Sequence, residues 1–237
     1  MALVAFLIAG VFAAVHVGIG VLRFLDVTPR SRWLSASGGV AVAYVFLHIL
    51  PELALHRTVF AEALDTVAER AEALVYSLAL AGLVVFYGLE RTVKTSRRGG
   101  AVPGAGTFWL HIGSFTVYNV IVGYLLLHRE SDGAWSLAIY ACAMILHFIT
   151  TDHGLRADHK ARYDTHARWI LAAAVMAGWA LGMWVTLPEF WIGGLFAFLA
   201  GGIVLNVLKE ELPEERESRL WPFVFSAVGY AAVLLAI

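Results

Sequence analysis

Eight stretches of this chain contain no aspartate, glutamate, lysine or arginine: residues 2–22, 34–51, 73–89, 107–127, 134–151, 169–188, 190–208 and 221–237. Together they hold 151 residues, so all 35 charged side chains fall in the other 86. Each stretch is close to the roughly 17–25 residues that an α-helix needs to cross a hydrocarbon core. Backbone amides at that depth must find their partners within the protein, so such runs read as helices rather than open strands. Composition agrees: 60% of the chain is hydrophobic and 15% is charged, against about 45–50% and about 25% in ordinary globular domains. The expected fold is an all-α membrane protein, one transmembrane domain over 1–237. Its eight spans are expected at 2–24, 34–54, 73–90, 107–128, 134–152, 168–188, 190–209 and 221–237.

Positive charge is retained on the cytoplasmic side of a membrane. The odd-numbered connections between spans carry fourteen Lys and Arg: Arg23, Arg30, Arg32, Arg91, Lys94, Arg97, Arg98, Arg156, Lys160, Arg162, Arg168, Lys209, Arg216 and Arg219. The even-numbered ones carry Arg57, Arg70 and Arg129. Fourteen against three places both termini outside. Losing or adding a span would scramble the alternation, so the same count supports eight. The net charge of −1 and the lack of basic runs argue against nucleic-acid binding. The single cysteine, Cys142, excludes a disulfide within the chain and a thiolate zinc site. The first apolar run is too long for the h-region of a leader and has no charge before it, so it reads as a span.

Pro51, Pro188 and Pro213 are expected to close spans, and Pro222 to open the last. The third connection, 92–107, carries Arg-Arg-Gly-Gly and Pro-Gly-Ala-Gly and should be flexible. The second, 56–72, has Val59, Ala63, Val67 and Leu74 at near-helical spacing and should be helical. The fifth, 152–168, reads as a helical extension or amphipathic linker, with Asp152, His159 and His166 on one face. Small residues at every fourth position, Gly10-x₃-Ala14-x₃-Gly18, Gly178-x₃-Gly182 and Gly193-x₃-Ala197-x₃-Gly201, are expected to let helices approach closely.

Two segments resemble each other. Ser37-Gly-Gly…His48-Ile-Leu-Pro-Glu52 ends span 2, and Ala200-Gly-Gly…Glu210-Glu-Leu-Pro-Glu214 ends span 7. Anchored on Leu-Pro-Glu, Gly39 matches Gly201 and His48 matches Glu210. The two spans run in opposite directions, as in inverted-repeat transporters, whose sites lie where the repeats meet. On these helix ends and the eight-span pattern, the chain resembles the ZIP (ZRT/IRT-like) family of divalent-metal transporters. That resemblance implies a ZIP-like bundle with an inverted repeat (helices 1–3 versus 6–8), a zinc-like divalent cation as substrate, and a multi-pass place in the cell membrane; the excess of Arg over Lys, 14 to 3, points to a bacterial source. It also implies a site on spans 4 and 5. The family's His-Asn-x-x-Asp/Glu-Gly pattern falls on Tyr118-Asn119-Val-Ile-Val-Gly123, where Asn119 and Gly123 agree. Its His-Glu-x-Pro-Glu pattern falls on His147-Phe-Ile-Thr-Thr151, where His147 agrees. No carboxylate lies within 169–188, where the family carries a bridging acid. The site expected here is therefore remodelled, with Asn119, His147 and the Tyr118 hydroxyl at its centre.

Ionisable groups at depth are candidates by default. His16, His48, His111 and His147 lie within spans. His111 and Tyr118, seven apart, share a helix face, and Thr151 follows His147 by four. If spans 4 and 5 pack together, His111, His147, Asp152 and His153 would form a site for one divalent ion or a proton relay. The alternative is that each histidine hydrogen-bonds a neighbouring helix, and that His48, Glu210 and Glu211 mark solvated helix ends. Transport rather than catalysis is the leading expectation, with the lipid bilayer and a divalent ion as partners and a homodimer as the assembly considered. A pseudo-transporter acting as sensor or partner subunit is the alternative. An intramembrane zinc hydrolase comes third, because none of the charge-free runs holds a catalytic carboxylate and none carries paired histidines at i, i+4.

Overall fold

The computed structural model describes residues 2–22, 32–97, 105–128, 134–211 and 219–236. These form helices α1 (Ala2–Gly18), α2 (Arg32–Tyr44), α3 (Leu50–Ala63), α4 (Ala68–Arg97), α5 (Ala105–Leu125), α6 (Ala134–Arg162), α7 (Arg168–Trp184), α8 (Glu189–Glu211) and α9 (Leu220–Leu235), with no strand among the described residues. Six helical stretches are long and apolar enough to cross a membrane, and α9 is a further, shorter apolar helix. The third connection beyond Arg97 and the Leu212-Pro213-Glu214 end of the second repeat segment lie outside the described residues, as does the Glu210 side chain.

Two expected boundaries shift. Pro51 does not end its helix: α2 runs through a π-helical turn at Val45–Ile49 directly into α3. A proline inside a helix lacks an N–H and its ring crowds the carbonyl four residues back. Widening the preceding turn relieves both problems and lets the helix continue. The resulting 32-residue rod, Arg32–Ala63, is about 48 Å long at 1.5 Å per residue. That exceeds a hydrocarbon core of roughly 30 Å, so its far end is the helical second connection. The connection turns at Leu64–Val67, where Asp65 takes the left-handed conformation (φ 46°), one that Asp tolerates better than most residues.

The second shift concerns the fifth connection. Apolar helix is continuous from Leu137 to Trp184, 48 residues, too long for a single crossing. It folds back on itself: His159 leaves helical geometry (φ −136°, ψ 35°) and a π turn follows at Tyr163–Ala167. Arg156 clasps Asp164 across this break with two hydrogen bonds, Nε–H to Oδ1 at 2.7 Å and Nη2–H to Oδ2 at 3.0 Å. A bidentate guanidinium–carboxylate pair is the strong form of this interaction, and here it fixes the bend. The break also scatters the face expected to hold Asp152, His159 and His166: Asp152 and His159 are buried, whereas His166 is exposed.

The chain divides into two compact units, Met1–Arg23 with Gly88–Thr186, and Phe24–Tyr87 with Leu187–Ile237. In the first, Phe6 meets Trp179 at 4.9 Å while the Tyr163 hydroxyl donates to the His16 carbonyl at 3.3 Å, so α1 and α7 are antiparallel. Phe12 meets Phe148 at 5.2 Å and His16 meets Asp152, so α1 and α6 are parallel. The α5–α7 contact runs parallel along glycines: a Cβ on Gly178 would strike the Val120 carbonyl, and, one turn on, Gly182 lies against Tyr124 and Leu127, with its carbonyl 3.0 Å from His128 Nε2. In the second unit, Ser35 with Arg219 and Gly39 with Phe223 make α2 and α9 parallel. His56 on Phe196 and Phe60 on Phe190 make α3 and α8 antiparallel. Gly82 against Phe198 and Gly202 against Phe86 make α4 and α8 parallel.

The expected glycine seams are thus present at Gly178 and Gly201, the latter against the Ala79 carbonyl. The one expected at Gly10 and Gly18 is absent, since a Cβ at either would meet nothing within 4 Å. Helix α1 instead buries Ala5, Ala9, Phe12 and His16. These lie on a single stripe at helical spacing, a quarter-turn from the glycines.

Candidate functional site

The first unit buries a chain of three polar side chains from three helices. His16, near the end of α1, places Nδ1 2.7 Å from Asp152 Oδ2 and Nε2 2.8 Å from Asn119 Oδ1. His16, Asp152 and Asn119 are each 1% exposed. The orientation of the Asn119 amide follows from its other bond, Nδ2–H to the Phe115 carbonyl at 2.8 Å. The amide oxygen therefore faces His16 and can only accept. Nε2 therefore donates to Asn119, and one proton is shared between Nδ1 and the Asp152 carboxyl. A histidine and a carboxyl held together at this depth offset each other's desolvation. Asp152 Oδ1 remains buried without a hydrogen bond.

Apolar sequence around the chain excludes water. Phe148 packs on His16 (4.7 Å between ring centres) and edge-on to Tyr118 (6.4 Å). His147 and Tyr118 are buried neighbours with ring centres 6.1 Å apart. Thr151 is buried beside Asp152 in sequence, and His153 is half-buried. Tyr118, Asn119, His147 and Asp152, the core of the expected site, thus belong to one buried region of one unit. Among the described residues, however, no group of three or more His, Cys, Asp or Glu converges as a ligand set for one metal ion.

His111 departs from the expected arrangement. It joins not Asp152 but His159 and Glu90: His111 Nδ1 lies 3.3 Å from His159 Nε2, and His111 Nε2 lies 3.8 Å from Glu90 Oε2. His48, in the other unit, pairs with Glu52 at 3.1 Å and stacks on Tyr44 at 4.8 Å, with both partners of the pair part-exposed.

His16 and Glu90 are the members that sequence reasoning left out of the site. His16 was visible as an ionisable group in a span, but nothing in the chain says which helix its face meets. Glu90 directly follows a charge-free run and reads as its boundary, although it is buried. Comparison of the chain with protein-family models, with curated proteins and with solved structures finds no match.

Proposed function

We propose that this chain is an integral membrane protein of eight crossings with both termini outside, ZIP-like in topology. On this reading it carries a divalent cation, zinc-like, Fe²⁺ or Mn²⁺, through a remodelled site in the first unit. The directional pairing within each unit supports the crossing number: odd apolar runs share one direction and even runs the other at each of the helix contacts described above. The observation that carries the function is the Asp152 carboxylate. It is fully buried in an apolar bundle, lies 2.7 Å from His16 Nδ1 through Oδ2, and keeps Oδ1 buried with no hydrogen bond. A charge so placed is costly and marks an ion path. Asp152 would supply the negative charge, and Asn119, His147 and Tyr118 the neutral N and O donors that suit a borderline divalent ion.

The test is cation uptake by proteoliposomes of the pure protein, read with an entrapped metal-sensitive dye. Uptake of Zn²⁺, Fe²⁺ or Mn²⁺ is expected, with a loss of about 100-fold in Asp152→Asn, equivalent to ~2.7 kcal/mol, and a smaller loss in His147→Ala. Absence of uptake for all three ions would remove transport.

One observation favours a second reading. His16 already occupies Asp152 Oδ2 and Asn119 Oδ1, and no three-ligand set converges among the described residues. A non-transporting bundle serving as sensor or partner subunit accounts for this directly. Its mark is binding to another membrane protein that is indifferent to Asp152→Asn.

A further inference from the structure

A second polar group in the first unit has the geometry of a binding site and takes no part in the chain through His16. It is assembled from three places. Glu90 lies about two turns before the end of α4, His111 nearly two turns into α5, and His159 sits at the break between α6 and α7. All three are buried. Arg91, Lys94 and Arg97 follow Glu90, and Arg156, Lys160 and Arg162 flank His159, so the group lies at the positively charged end of the unit.

Two distances define what the group can do. His111 Nδ1 and His159 Nε2 face each other at 3.3 Å. That is beyond the 2.7–3.2 Å usual for an N–H donor and its acceptor. It is the separation of two imidazole nitrogens on one tetrahedral ion, about 3.3–3.4 Å for metal–nitrogen bonds of about 2.0–2.1 Å. On the far side of the His111 ring, Nε2 looks toward Glu90 Oε2 at 3.8 Å. That is longer than a hydrogen bond; the carboxylate acts through its charge, favouring a proton on Nε2 and so a lone pair on the opposite nitrogen, the sense of the support found behind metal-binding histidines. The third feature is the backbone. The non-helical geometry of His159 comes where the helix would otherwise continue, and Phe108 packs edge-on to the His159 ring at 5.3 Å, fixing its plane. The nearby Arg162 guanidinium lies over the Phe108 ring, 5.5 Å from its centre.

We propose that His111 and His159 bind one divalent transition-metal ion between Nδ1 and Nε2, with Glu90 orienting His111 and water completing the coordination. This goes beyond the transport reading, because it concerns binding at a separate pair of residues. Zn²⁺ and Co²⁺ suit two imidazoles and water, whereas Mg²⁺ and Ca²⁺, which take oxygen ligands, do not.

The experiment titrates the full-length protein in detergent with Co²⁺ and follows visible absorption, with equilibrium dialysis giving the stoichiometry. Wild type is expected to bind one equivalent that disappears in His159→Ala and in His111→Ala and that Mg²⁺ does not displace. Glu90→Gln should keep the equivalent but weaken it about tenfold, as loss of an outer carboxylate does. His159→Gln, which keeps a polar side chain, controls for misfolding, and size-exclusion elution of each variant reports the fold. A Co²⁺ stoichiometry in His159→Gln and His111→Ala equal to that of wild type, or wild type binding none, overturns the proposal. Asp152→Asn separates the two ideas: it should abolish uptake and leave this equivalent in place. Uptake without a His159-sensitive equivalent sinks the second site alone. The equivalent without uptake sinks transport alone.

Discussion

Each unit contains a histidine–carboxylate pair, and the two pairs occupy very different media. His16–Asp152 spans 2.7 Å between helices far apart in sequence, with each side chain 1% exposed. His48–Glu52 spans 3.1 Å within one helix at i, i+4, with side chains 26% and 16% exposed. Burial is what separates them. In the first, neither partner can fall back on water, so each depends on the other. In the second, either can rehydrate. The wider inventory follows the same division: Asp152 and Glu90, the buried carboxylates among the described residues, both belong to the first unit, whereas the second buries Ser35, Ser37, His56 and Asn206. Close glycine packing is common to both units, whereas buried carboxylates among the described residues belong to the first.

The comparison is tested most severely by removing one partner of the buried pair. His16→Leu removes the imidazole partner of the buried Asp152, and loss of one member of a buried pair costs ~3–5 kcal/mol. Thermal unfolding in detergent should therefore start far below wild type. The double variant His16→Leu/Asp152→Leu should recover most of the loss, because apolar replacement of a whole buried pair is often neutral. If the single and double variants unfold alike, the dependence of Asp152 on His16 is wrong.

Packing gives the next effect in size. Gly178 of the first unit and Gly201 of the second each lie against a carbonyl of a neighbouring helix. Alanine at either forces that helix away, and overpacking of this kind costs ~1–3 kcal/mol. Gly10→Ala meets nothing and should be neutral or stabilising by up to ~1 kcal/mol through helix propensity. Equal unfolding temperatures for Gly10→Ala and Gly178→Ala would break the distinction between contact and merely small-residue spacing.

These same glycines show how far the chain could be read in advance. Charge-free runs reveal helices because lipid leaves no other outlet for the backbone, and the fourfold spacing at Gly178 and Gly201 pointed to close approach. The identical spacing at Gly10 misled, because periodicity identifies a helix face and not its neighbour. The site follows the same logic. Tyr118, Asn119 and His147 stand out through the family resemblance, and Asp152 through the expectation that spans 4 and 5 meet. His16 joins Asn119 and Asp152 across 103 and 136 residues, and His111 turns to His159 because the helix breaks there. Neither fact has a local signal. Pro51 was read as a stop because proline usually is one, and the π turn that admits it depends on the packing of the whole rod.

The smallest effect belongs to the exposed pair. His48→Leu removes an i, i+4 contact whose partners both reach water, and such pairs contribute ~0.3–0.5 kcal/mol on a helix surface. The loss of stacking on Tyr44 is offset by the apolar replacement. Stability should therefore change by less than about 1 kcal/mol, and cation uptake should stay at the wild-type level, since the ion path is assigned to the other unit. His48 is also the residue that the repeat sets against Glu210, so this variant tests whether that correspondence carries function. A large fall in uptake with an unchanged unfolding temperature would assign ion chemistry to both units and end the division of labour drawn between them. Unchanged uptake, beside its collapse in Asp152→Asn, would confine that chemistry to the unit where a carboxylate is fully buried.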